Sequence, residues 1–430
     1  MNPFACLIPV LLFFSFSCDP RGTEPLVPEG PFTQGRSVKR GVSFNFQNAV
    51  DIKVLGKGVS WSYNWAPSFS PLHDTAVDSL KMDYCPMAWN SINEAALREY
   101  ISSHPDCRYL LGFNEPNMTS QSDMTPSQAA MEWVKVKGLA NELGLKMISP
   151  ALNYGNLPGY SDPIVWLDEF FSLVPLEDVE GIAVHCYMPG VYSVVSFLEK
   201  FKKYGKPIWL TEFCAWDGLN ENSFTAEGQQ QFMSDMINYL ESDPDIFRYA
   251  WFIPRGGGSE DNFPYMFLLK ATSQGTLTDL GKIFVGMSSL DTSIYYAEQQ
   301  IIEAEHYNSI SISESLNGTW VSGPRVRVTS EAPNESLELY NFLPQQWVEY
   351  RLRAEKSKVY SLEFRYATFI DSEIEIEIDG IQETVLNLEN TGQDYIWNTV
   401  GLELTLSEGR HIIRITPSKG RICLNWLRFS

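Results

Sequence analysis

Glu115 ends the apolar run Tyr109-Leu110-Leu111-Gly112-Phe113-Asn114 and is followed at once by Pro116. Glu212 ends a second run, Pro207-Ile208-Trp209-Leu210-Thr211. Runs of this length and apolarity fit strands buried on both faces. Proline has no N–H for a ladder, so the backbone must leave the sheet beside Glu115. Two carboxylates at the ends of two buried parallel strands can divide the work of acid-assisted displacement at a sugar carbon. Across a gap of about 5 Å, one attacks while the other donates a proton, and configuration is retained. On this reading Glu115 is the acid/base and Glu212 the nucleophile.

Other residue types nearby suit a sugar. Asn114 precedes the acid and can hydrogen-bond a 2-OH, a contact that strengthens in the transition state. His185 and Tyr187 share one strand face and could hold Glu212 or a sugar hydroxyl; the alternative for His185 is a satisfied core histidine. Trp251 could form the floor under the reacting sugar or pack the interior. Trp61, Tyr63 and Trp89 are candidate stacking platforms. Asn64 could bind a hydroxyl or close a turn. Arg255, before Gly256-Gly257-Gly258, reads as loop structure.

These residues need elements to hold them. A strand pattern recurs eight times, at 41–46, 58–65, 82–89, 109–115, 146–153, 181–187, 208–213 and 248–254. Helical patterns fill most gaps. In the clearest, Thr125 caps, Pro126 takes the first turn, Gln128 completes a capping box, and Gly144 ends the helix. Eight strands alternating with crossovers predict an α/β domain, a (β/α)8 TIM barrel, over residues 39–286. An open doubly wound sheet fits less well, because no Gly-rich phosphate loop follows the first strand. After a linker at 287–299 the period changes to two. Ile374, Ile376 and Ile378 alternate with glutamates, and Asp379-Gly380 reads as a hairpin turn. Residues 300–430 are therefore an all-β sandwich.

With a net charge of −21 the chain lacks the basic footprint that nucleic acid requires. Such a charge suits a neutral glycan partner, and the 13% aromatic content is compatible with one. Phe4 to Phe16 is apolar but too short to span a bilayer. Ser15-Phe16-Ser17-Cys18 resembles a bacterial lipoprotein signal. Residues 1–17 then form a signal peptide, 18–38 a tether, and lipid on Cys18 the one membrane contact. Five further cysteines, an odd number without CxxC spacing, argue against a disulfide framework or zinc site. A secreted or surface-held monomer is expected.

Gly112-Phe113-Asn114-Glu115-Pro116-Asn117 and Gln121-Ser122-Asp123-Met124-Thr125-Pro126 strongly resemble glycoside hydrolase family 128. So do Trp61-Ser62-Tyr63-Asn64-Trp65, Pro86-Met87-Ala88-Trp89, Val184-His185-Cys186-Tyr187, Thr211-Glu212-Phe213 and Tyr249-Ala250-Trp251-Phe252. The resemblance covers residues 40–285. It implies a retaining β-1,3-glucanase on a (β/α)8 barrel, with Glu115 as acid/base and Glu212 as nucleophile, and no catalytic cofactor. Residues 300–430 resemble a family 6 carbohydrate-binding module through Ile302-Glu303-Ala304-Glu305-His306-Tyr307, Trp397 and Leu424-Asn425-Trp426. That resemblance implies a jelly roll with structural Ca²⁺, for which Glu303 and Glu305 are candidate ligands, and a glycan platform at Trp397. The expected activity is endo-acting hydrolysis of β-1,3-glucan. The alternatives are another β-glucan as substrate, or a surface glycan-binding protein without turnover.

Overall fold

The computed structural model describes residues 34–216, 224–311, 323–331 and 336–430. The expected signal peptide, Cys18 and the tether up to residue 33 lie outside them. Among the described residues no helix is long and apolar enough to cross a membrane.

All eight expected strands of the first domain are present, mostly shorter than their apolar runs. They are β1 (Arg40–Ser43), β2 (Trp61–Tyr63), β3 (Asp83–Tyr84), β4 (Tyr109–Leu110), β5 (Lys146–Met147), β6 (Ile182–Cys186), β7 (Ile208–Phe213) and β8 (Ile246–Trp251). Six form a parallel sheet in the order β3-β2-β1-β8-β7-β6, and β4 pairs with β5 in parallel. Parallel bridges Met87–Leu111 and Ile148–Gly181 run from this pair towards the two edges of the sheet. Close approach explains Gly112, where a Cβ would sit 2.7 Å from the Pro150 nitrogen.

The strands bury two faces, as continuous apolar runs require. Trp61, Tyr63, Tyr109, Leu111, Trp209 and Ala250 belong to one compact cluster. Val42, Val184, Leu210, Tyr249 and Trp251 belong to the other, with the helices. Pro126–Glu142 begins with the expected capping box: the Gln128 N–H donates to Thr125 Oγ1, and the Thr125 N–H to Gln128 Oε1 at 2.8 Å. Asn93 caps the preceding helix, and Asp162, Thr225 and Thr278 cap later ones, through side-chain oxygens. The first two crossovers carry only short helices, Ala49–Leu55 and Asp74–Ser79.

The second domain is antiparallel. Its strands are β9 (Ile301–Glu303), β10 (Ser309–Ile310), β11 (Arg325–Val328), β12 (Leu337–Phe342), β13 (Val348–Ala354), β14 (Lys358–Thr368), β15 (Ser372–Ile378), β16 (Ile381–Leu388), β17 (Asn398–Leu406), β18 (Gly409–Lys419) and β19 (Ile422–Phe429). They make two sheets, β10-β13-β18-β15-β16 and β11-β12-β19-β14-β17, with β9 added on β19. This fits a β sandwich. Asp379 and Gly380 both take positive φ in the expected hairpin between β15 and β16.

The sandwich packs directly on helix Ala226–Ser242. Arg325 pairs with Asp235 at 3.1 Å, the Val326 N–H donates to Ser234 Oγ, and Tyr307 OH donates to Asn238 Oδ1 at 2.6 Å. Residues 287–299, expected as a linker, are bonded along their length. Ser288 Oγ donates to the Tyr307 carbonyl, and Tyr296 exchanges backbone bonds with Arg351 and Arg353. Arg40 ties the junction together. Fully buried, it pairs with Glu241 at 3.1 Å and donates to Tyr249 OH and to the carbonyls of Phe284, Met287 and Ser288.

Two stability outcomes follow. Arg40→Met strands the Glu241 carboxylate in the interior and should cost about 3–5 kcal/mol in denaturant unfolding; an unchanged midpoint would refute the role given to this pair. A chain ending at Met287 uncovers Ser234, Asp235 and Asn238 and should melt well below the full chain by calorimetry; equal melting would mean that the sandwich supports nothing.

Candidate active site

Glu115 and Glu212 meet where β4 and β7 run out. Glu115 holds a left-handed φ of 43°, rarely adopted by a residue with a side chain. Flanking bonds enforce it: its N–H donates to the Ala151 carbonyl and its own carbonyl accepts from the Met118 N–H. Both carboxylates are nearly closed off, at 6% and 5% exposure. His185, fully buried near the end of β6, stands between them. Its Nδ1 lies 3.0 Å from Glu115 Oε1 and 3.5 Å from Glu212 Oε2. One donor atom from each of the three residues falls within 4.8 Å of the others. Burial opposes charge on His185, but the two carboxylates outweigh it and hold its pKa above the usual value.

Glu212 has a shell of neutral donors. Tyr63 OH donates to Oε1 at 2.8 Å, Trp65 Nε1 donates to the same oxygen at 2.7 Å, and Tyr187 OH donates to Oε2. Burial, then the charge of Glu212, push both tyrosine hydroxyls well above their usual range, so they remain donors. Among the hydrogen bonds described, Glu115 has the imidazole alone. Three ligand-type atoms this close could also hold a divalent cation. The donors already on both oxygens of Glu212 favour a pair that handles a proton.

The other expected residues scatter. Asn114 lies beside Glu115, its Nδ2 donating to Gln121 Oε1 at 3.2 Å and its buried Oδ1 without a protein partner. Trp89 is half-buried against the cluster of Trp61, Tyr63 and Trp209, and its carbonyl accepts the Asn114 N–H. Asn64 closes a turn, its Oδ1 accepting from the Ala66 N–H and Tyr84 OH. Tyr63 grips Glu212 rather than offering a stacking face. Trp61 is no platform either: it is fully buried, stacked on Tyr63, with the Arg248 guanidinium 5.3 Å from its ring. Trp251 is not the sugar floor. With 0% exposure it packs against Phe213, Phe232 and Phe284 on the helix side of the sheet. The next residue, Phe252, faces the site instead, edge-on to Trp65 and Tyr187. Arg255 ties its loop to buried Asp51, as expected of loop structure.

Trp65 and Phe252 are the residues the sequence reading missed. Strand alternation could have found Trp65, two positions beyond Tyr63. The same rule separates Trp251 from Ala250 on the opposite face of β8.

In the sandwich, Glu303 and Glu305 stand at β9 and just beyond it. Glu305 is buried, and its Oε2 has no protein partner; the same is true of Asn425 Oδ1 on β19. Burial, then Glu303, push the Glu305 carboxyl up to about 8. The two orphaned oxygens lie on paired segments, β19 and the extension of β9, and oxygen donors of this kind suit a hard cation. Trp397 is only half-buried, while Tyr395 beside it is 57% exposed. Asp394 is engaged by Arg327, which also pairs with Glu338.

Comparison with known proteins agrees with this division. Residues 325–429 match the carbohydrate binding module family 35, which corrects the family 6 resemblance. A family 128 subgroup II endo-β-1,3-glucanase from Pseudomonas viridiflava is 34% identical, with a TM-score of 0.53, over 58% of this chain and 98% of that one. Its counterpart from Sorangium cellulosum is also 34% identical, with a TM-score of 0.50, over 57% of this chain and 97% of that one. Alkali-sensitive linkage protein 1 of Schizosaccharomyces pombe is 24% identical over 254 residues; the match spans 57% of this chain but only 42% of that protein. Residues 41–284 match the glycosyl hydrolase catalytic core. More than half of the chain lies in that match, so it belongs to the glycosyl hydrolase catalytic core family, and its first domain is a family 128 glycoside hydrolase domain.

Proposed function

We propose that this glycoside hydrolase cleaves β-1,3-glucan, endo-acting, with retention of configuration. The observation that carries the mechanism is the separation of the carboxylates. Their nearest oxygens fall within 4.8 Å, which suits direct attack and leaves too little room for the water of an inverting enzyme. Glu212 attacks the anomeric carbon while Glu115 protonates the departing glycosidic oxygen. Glu115 then takes a proton from water, which hydrolyses the glycosyl ester. His185 is hydrogen-bonded to Glu115 and stands 3.5 Å from Glu212. The β-1,3-glucan substrate and endo action are taken from the two relatives at 34% identity. The parallel bridges on either side of β4-β5 support closure of the strands into a (β/α)8 barrel, whose C-terminal rim would be this site.

Reducing-sugar release should be strong on laminarin and curdlan and weak on lichenan and xylan, and NMR of the first product should read the β anomer. An α product would refute the double displacement, and xylan as best substrate would refute the specificity. Glu115→Gln and Glu212→Gln should each lower kcat by at least about 10³-fold at unchanged melting temperature.

The sandwich supplies a second contact with the same polymer, around Trp397, and binds Ca²⁺ through Glu303, Glu305 and Asn425. The support is the pair of orphaned oxygens. When Ca²⁺ is absent, Glu305 titrates above its unfolded value. The stability it contributes is whole below the ordinary carboxylate range and lost as pH rises through about 8. Chelator-treated protein should therefore melt lower at pH ~8.5 than at pH ~6, and Ca²⁺ should narrow the gap. No Ca²⁺-dependent shift, or the same shift in Glu305→Gln, would reject the site. The chain acts as a monomer, exported and held at the surface by lipid on Cys18. Loss of a fatty-acid label in Cys18→Ala tests the anchor.

A further inference from the structure

A carboxylate offers about four lone-pair sites, two on each oxygen. Three of those on Glu212 are taken. Tyr63 OH and Trp65 Nε1 occupy Oε1 at 2.8 and 2.7 Å, and Tyr187 OH occupies one site on Oε2. The fourth belongs to Oε2, the oxygen nearer His185. That imidazole nitrogen does not fill it, since Glu115 lies closer, at 3.0 Å against 3.5 Å.

Trp65 differs from the other donors. Its φ is 61°, a left-handed backbone that a tryptophan keeps only where its surroundings enforce it. Its ring stands edge-on to Tyr63 and Phe252, with centroids at 5.6 and 6.1 Å. The strained backbone and the two rings together aim one N–H at one oxygen.

Resting on the retaining reading above, we propose that Trp65 is a positioning residue for the nucleophile: it completes the saturation of Glu212 Oε1 and leaves Oε2 as the atom that attacks. A lone pair of Oε2 forms the bond to the anomeric carbon. The bond from that carbon to the bridging oxygen breaks, its electron pair stays on that oxygen, and the proton of Glu115 joins it. Oε1 becomes the carbonyl oxygen of the ester and still accepts from Trp65 and Tyr63. In the second step the carboxylate is the leaving group, and the same two donors receive the charge that returns to it.

The experiment compares Trp65→Phe with wild type on laminarin oligosaccharides. Loss of one hydrogen bond to a charged acceptor should lower kcat on the order of 10–100-fold without raising KM. The acidic limb of kcat/KM against pH should move to higher pH, because a donor that favours the ionised nucleophile is gone. A kcat within about twofold of wild type would overturn the proposal. So would a loss carried by a rise in KM with the acidic limb unmoved, which would make Trp65 a sugar-binding wall. If Trp65→Phe lowers the melting temperature, a benzothienyl analogue of tryptophan at position 65 keeps the shape and removes only the N–H, and the same outcomes decide. Glu212→Gln is the parallel control. If it keeps near-normal rates, the nucleophile reading and the proposal fall together; if it is inactive while Trp65→Phe is normal, only the proposal falls.

Discussion

Two carboxylates buried within 4.8 Å of each other repel strongly, because little water remains to screen them. The arrangement persists if one carboxyl keeps a proton, as the acid of the proposed reaction must, or if the surroundings supply positive charge or hydrogen-bond donors, unequally divided. Here the division is lopsided. Glu212 receives two tyrosine hydroxyls and an indole, whereas Glu115 has one imidazole. Four elements must end in register for this to hold: β2 for Tyr63 and Trp65, β4 for Glu115, β6 for His185 and Tyr187, and β7 for Glu212. A slip of one residue in any strand would turn its contribution to the opposite face. The large, fully buried rings beneath, Trp61, Trp209 and Tyr63, are what such a slip would have to displace.

The two glutamates were legible because their signals are local. An apolar run fixes the strand, and a carboxylate at its end, followed in one case by proline, fixes the exit. The number and order of strands were legible for the same reason, as was the capping box of Pro126–Glu142. Aromatic roles were not. Every tryptophan near the strand ends reads alike in sequence, and only parity along each strand separates Trp65 from Trp251. Even parity does not explain Trp61. Its ring is lost to substrate because the guanidinium of Arg248 fills the space beneath, amid Trp61, Tyr109 and Trp209 at 5.2–5.3 Å and paired with Asp83. That contact joins distant segments and leaves no trace in any short window.

Helix Ala226–Ser242 is a second case. Its sequence carries Ser234, Asp235 and Asn238 on what reads as a solvated face, yet all three are buried. Their partners come from Arg325, Val326 and Tyr307 in the other domain. Polar residues facing a polar partner surface look the same in sequence as polar residues facing water. The period change near residue 300 marked where one domain gives way to the next. It carried no information on whether the two would hold each other.

That shared face has a consequence for how the chain is made. A ribosome releases helix Ala226–Ser242 well before it releases β11 and β12. During that interval Asp235 has no Arg325, and Asn238 has no Tyr307. The catalytic domain leaves the exit tunnel before the partners of this helix face exist, and the face is covered only when the sandwich strands follow. Until then Ser234, Asp235 and Asn238 face water, so the order of synthesis separates the making of this helix from the covering of its polar face.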